Sequence, residues 1–182
     1  MHQVDQLGAS VEHLPDQIVA RKQLILHANE GKIYHDGQLF SGYAAEYYDN
    51  GQLFKKTGYL QGKKHGSSQK WYADGTLGYQ GYYKANKLHG TAQTWWKNGV
   101  LRSEAHFEQA VAHGIQKEWY TNGVLFKEIR LNQGKEEGLQ RAWRKNGKIY
   151  NNYEAKNGRI FGLRRSGLCF KLEDEVIQYG DE

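Results

Sequence analysis

His65, His89 and His113 each precede a glycine and stand 24 residues apart. Histidine is the commonest metal ligand, so a column of three suggests a metal centre. The spacing argues against one. In a two-strand repeat, same-column residues lie ~9.6 Å apart along the sheet. Zinc–nitrogen bonds are about 2.1 Å long, so two such histidines cannot share an ion. The column reads as turn and packing residues, and no metal or other cofactor is expected. Cys169 has no second thiol for an internal disulfide and no neighbouring histidine to act as a base. It reads as a buried structural residue. Ser67-Ser68-Gln69-Lys70 holds a Ser-x-x-Lys string, but in a predicted strand rather than at the start of a helix. No nucleotide-binding glycine loop, carboxylate pair or triad stands out, so no enzyme is expected.

Two other columns carry usable chemistry. Tyr48, Tyr72, Trp96 and Tyr120 recur at the same step, with Arg144 next in line. Such a ladder either stiffens a sheet through cross-strand pairs or offers anchors to a partner. Sugars or bases could also stack on it. Lys63, Lys87, Lys135 and Arg159 form a basic column, interrupted by Val111. It reads either as a charged edge that deters aggregation or as an attractor for anionic lipid or an acidic protein. The net charge is +5, yet no nucleic-acid motif is present, so sequence-specific nucleic acid is not an expected partner.

These columns exist because one phrase repeats. Trp95-Trp96-Lys97-Asn98-Gly99-Val100-Leu101 has counterparts beginning at Tyr47, Trp71, Trp119 and Trp143. A fixed period of this length marks a repeat architecture. Two aromatics, Asn-Gly or Asp-Gly and an aliphatic residue signal a β-hairpin. A three-residue loop pairs Trp95 with Leu101 and Trp96 with Val100; a two-residue loop swaps the faces. The three-residue form is preferred, because the first column (Tyr47, Trp71, Trp95, Trp119, Trp143) never turns polar and suits a core. Alternation then places Leu101, Ser103, Ala105 and Phe107 inside. On that basis Trp95→Ala costs about 3–5 kcal/mol and Trp96→Ala much less.

The expected fold is all-β: an elongated ribbon of stacked antiparallel hairpins with terminal caps. Residues 1–36 form the N-terminal cap, with Ile18, Val19, Leu24, Ile25 and Leu26 in a strand or short helix. Residues 37–161 form the array, with five full 24-residue repeats from Gly42. Residues 162–182 supply a closing strand around Leu168, Cys169, Phe170 and Leu172, then an acidic tail. No apolar run reaches transmembrane length and no secretory leader is evident. The cytoplasm is the default location, with the periplasm or cell envelope the alternative if a leader has been trimmed.

The repeat, Gly-x4-aromatic-aromatic-x-Asn-Gly-x-Leu followed by Tyr or Phe and Gly-Lys-x-x-Gly, resembles the MORN repeat. Gly62-Lys63-Lys64-His65-Gly66 carries the linker part; Ala110 and Val111 depart from it in the third linker. The likeness is closest to the bacterial variant in the YwqK-type antitoxin family. The resemblance implies a non-catalytic ribbon that binds a protein or lipid, with an antitoxin or immunity role as its specific form. At net +5, a toxin partner is not expected to be met by acidic charge mimicry. Membrane-surface or polysaccharide binding is the rival expectation.

Overall fold

The computed structural model describes residues 14–163. Their regular secondary structure is β apart from one turn of 3-10 helix, Arg21–Gln23. Among them, fifteen strands form one sheet and three form a second. The large sheet is an elongated ribbon of antiparallel hairpins stacked in chain order. Five hairpins carry the repeat. Their strand pairs are Gly42–Tyr47 with Leu53–Leu60, Lys63–Trp71 with Leu77–Lys84, Gly90–Trp95 with Leu101–Glu108, Gly114–Trp119 with Leu125–Asn132, and Gly138–Trp143 with Ile149–Lys156.

The turn phrase makes each hairpin. In the third, Trp96 N–H donates to Val100 O and Gly99 N–H to Trp96 O, both at 2.9 Å. Gly99 holds φ 81°, which only glycine adopts without strain. The loop Asn or Asp bends the chain through its own side chain. Asn50, Asp74, Asn98, Asn122 and Asn146 each accept the backbone N–H two residues on, at 2.9–3.2 Å.

The loop has three residues, as expected, but the strand beyond it does not keep the expected faces. Ser103 pairs with Thr94 while Leu101 pairs with Trp95, so Arg102 is an extra, bulged residue. Thr94 and Trp95 are adjacent and point to opposite sides, so Leu101 points away from Ser103, Ala105 and Phe107. The same shift occurs in all five hairpins. The first aromatic column and its aliphatic partners therefore leave the inner face. None of the five aromatics is buried, and Tyr47 is 54% exposed. The large contrast expected between Trp95→Ala and Trp96→Ala disappears, because both side chains are half-buried.

The inner face is lined instead by a row of mostly small or polar residues. Ala44, Thr57, Ser68, Gly81, Ala92, Gln116, Gln140 and Tyr153 are all buried. Thr57 and Ser68 share a hydroxyl–hydroxyl bond of 3.0 Å, while Ser67, the serine of the Ser-x-x-Lys string, lies half-buried in the same strand opposite Tyr82. Tyr79 and Leu88 crowd Gly81, where an added Cβ would sit 3.1 Å from Leu88 Cδ1. Burial and the Tyr83 hydroxyl, 3.3 Å away, raise the Tyr79 hydroxyl well above the ordinary phenol range.

Later hairpins use amides. Glu128–Arg141 and Lys127–Ala142 are paired, after which the strands diverge around the linker turn. Gln140 spans the gap. Its Oε1 accepts Arg130 N–H at 3.0 Å, and its Nε2 donates to Arg130 O at 2.8 Å and Gly138 O at 3.3 Å. Gln116 similarly accepts His106 N–H at 3.2 Å and donates to His113 O at 2.9 Å.

The linkers are two-residue turns with both φ values positive: Gln61-Gly62, Ala85-Asn86, Gln109-Ala110 and Gln133-Gly134. That conformation matches strand twist. The turns also stack. Ala110 N–H donates to Leu88 O at 2.7 Å and Gly134 N–H to Ala112 O at 2.8 Å.

At the N-terminal end, Ile18–Ala20 pairs in parallel with Gly42–Tyr47. Ile25–His27, Lys32–His35 and Gln38–Leu39 form the small sheet. The strand-or-helix alternatives for this stretch thus resolve as strand, 3-10 turn and strand. Leu24, Ile33, Phe40, Ala44 and Tyr59 form an apolar cluster against this end of the ribbon. Arg159–Leu163 pairs with Ile149–Lys156 at the other end. The expected closing strand, Cys169 and the acidic tail lie outside the described residues.

Candidate binding face

Opposite the buried row lies an open face. One row crosses ten strands in direct register: Ala45, Lys56, Gln69, Gln80, Gln93, Glu104, Lys117, Glu128, Arg141, Asn152. On the turn side it is flanked by the first aromatic column, each member opposite Leu53, Leu77, Leu101, Leu125 or Ile149. On the linker side stand exposed apolar side chains: Tyr82 at 46%, Ile115 at 41%, Leu139 at 46% and Phe161 at 55%.

The row is ionic in the fourth and fifth hairpins. The Glu128 carboxylate pairs with Arg141 at 2.5 Å and with Lys117 at 3.6 Å. Arg141 lies over the Trp143 ring, 5.4 Å from its centroid. Ile115, Glu128, Arg130, Leu139 and Arg141 line a groove of about 560 Å³. In the second hairpin the row is neutral. Gln69 Nε2 donates to Gln80 Oε1 at 3.0 Å, and Gln80 Nε2 donates to the Tyr82 hydroxyl at 3.2 Å.

The second aromatic column does a different job. Tyr48 donates its hydroxyl to Trp71 O at 2.8 Å, and Tyr72 to Trp95 O at 2.8 Å. Trp96 Nε1 donates to Trp119 O at 3.1 Å, and the Tyr120 hydroxyl to Trp143 O at 2.9 Å. Each second aromatic thus ties its hairpin to the next one. All four are half-buried. Sequence reasoning passed over a signal here: every member of the column carries an O–H or N–H donor.

Lys63, Lys87 and Lys135 are exposed along the linker edge, and Lys87 Nζ reaches Gln109 Oε1 at 3.2 Å. Val111 breaks the column and is 44% exposed. Lys63, Lys87 and Lys135 pair with Leu60, Lys84 and Asn132, which puts them at the linker end of the open face, away from the turn end where the aromatics stand. Of the histidine column, His113 lies 3.5 Å from Gln133 N–H. Among the described residues, no group of three or more His, Cys, Asp or Glu is placed to hold a metal ion. No helix among them is long and apolar enough to cross a membrane.

No curated protein matches the chain significantly. Residues 88–109 and 112–132, which hold the third and fourth hairpins, match the family model of the MORN repeat variant.

Proposed function

We propose that the array is a non-catalytic scaffold that binds a protein partner through the open face of its fourth and fifth hairpins. One observation carries this reading. Ile115, Leu139 and Phe161 stand exposed on a sheet face that also holds the half-buried Trp119 and Trp143 and the Glu128–Arg141 pair. Aromatic and Arg anchors beside exposed apolar side chains suit a protein interface. The YwqK-type resemblance supports an antitoxin or immunity role as the specific form.

A second reading, attraction to anionic lipid, is favoured by the exposure of Lys63, Lys87 and Lys135 along one edge. Salt separates the two. Capture of one stoichiometric protein from the native cell extract, persisting as ionic strength rises, supports the interface. Sedimentation with anionic vesicles that fades with salt, without protein capture, supports the edge.

A further inference from the structure

The open face changes character along the ribbon, and its second and third hairpins fit a different ligand from the fourth and fifth. Gln69, Gln80 and Gln93 are consecutive in the cross-strand row. The half-buried Trp71 and Trp95 lie on their turn side and the exposed Tyr82 on their linker side. The bonds from Gln69 to Gln80 and from Gln80 to Tyr82 all run one way. Each uses one N–H of its amide, and the Tyr82 hydroxyl, accepting at the end, keeps its own proton to donate.

Charge selects the ligand. The row has no formal charge between Lys56 and Glu104, and the Glu104 carboxylate is held by Gln93 Nε2 at 2.8 Å. An anionic lipid, a nucleic acid or a charged peptide finds no counter-charge in the glutamine row itself; the nearest cations on the linker side, Lys84 and Lys87, stand beyond Tyr82 at the linker edge. A neutral ligand rich in hydroxyls, with apolar C–H faces, fits it. Amides donate to and accept from hydroxyls, and indoles pack against C–H faces. Period adds a second constraint. Successive hairpins are ~9.6 Å apart, and an extended β-1,4-linked glycan presents the same sugar face every second residue, a comparable step. Trp71 and Trp95 then meet alternate sugars of one chain.

We propose that the second and third hairpins carry a binding site for a neutral β-1,4-linked glycan, lying across the strands along the ribbon. This goes beyond the protein interface proposed above and occupies other hairpins. The test is calorimetric titration of the full chain with cellohexaose and with chitohexaose, at low and high salt. One hexasaccharide is expected to bind independently of salt. Tyr82→Ala changes an exposed side chain, spares the fold, and is expected to weaken binding about tenfold. Trp143→Ala, in the fifth hairpin, is expected to leave it unchanged. The proposal is overturned if neither hexasaccharide binds, if binding is lost at high salt, or if the Tyr82→Ala and Gln80→Ala variants both bind as tightly as the parent chain.

Discussion

In the first three hairpins the buried row consists of Ala44, Thr57, Ser68, Gly81 and Ala92, and the open row above the second is built from glutamines. In the fourth and fifth, Gln116 and Gln140 move inside, and the open row becomes the Lys117–Glu128–Arg141 ion network. The N-terminal end also rests on an apolar cluster around Phe40. Both ends share the same turn chemistry, so the backbone path is kept while both faces change. The repeat phrase specifies the ribbon, and the positions between phrases are left to specify ligands. That division explains how one array can offer a neutral surface and an ionic one on the same side.

The difference between the ends can be broken or sharpened by substitution. Phe40 is 2% exposed, and Phe40→Ala is expected to cost about 3–5 kcal/mol in urea unfolding. Gln140 is buried, and Gln140→Ala removes the bonds that it makes to the Arg130 N–H and C=O, an expected cost of about 1–3 kcal/mol. If it costs no more than Gln80→Ala on the open face, the amide is not holding the C-terminal interior together. Ala110 holds φ 70°, where Gly62 and Gly134 stand in the equivalent turns. Ala110→Gly is therefore expected to stabilise by about 1 kcal/mol, as relief of left-handed strain.

Smaller effects test what the two ends share. Tyr48→Phe and Tyr120→Phe each remove one hydrogen bond between hairpins and should each cost about 1 kcal/mol. A large inequality would mean that the ladder is not uniform. Asp74→Asn should leave the neutral-pH unfolding midpoint unchanged, since Asn makes the same turn bond in the other four hairpins. The Thr76 backbone N–H holds the Asp74 carboxyl below its usual range. Its contribution is therefore present above the unfolded titration and is lost as pH falls through the lower folded value. The Asn variant should lose less stability in acid.

The ribbon, its hairpin order and its loop length were legible because Asn-Gly and Asp-Gly turns act locally and recur at one step. The faces were not, because the bulge at Arg102 adds one residue without disturbing the alternation on either side. A period-two reading carried Leu101 inward across that bulge, and the tryptophans with it. The open row was also hidden. Its register from one hairpin to the next depends on how far the strands diverge at the linker, which no single repeat shows. The donor groups of Tyr48, Tyr72, Trp96 and Tyr120 were visible in the sequence, but their acceptors are backbone carbonyls one repeat away.

The most direct test of the account compares two variants in one capture experiment at physiological salt. Leu139→Asp places a charge among the exposed apolar side chains of the open face; Lys63→Glu with Lys87→Glu and Lys135→Glu reverses the linker edge. A stoichiometric protein partner is expected to be lost with Leu139→Asp and retained with the three edge reversals. Retention with Leu139→Asp and loss with the edge reversals would contradict it and move the working surface to the lysines.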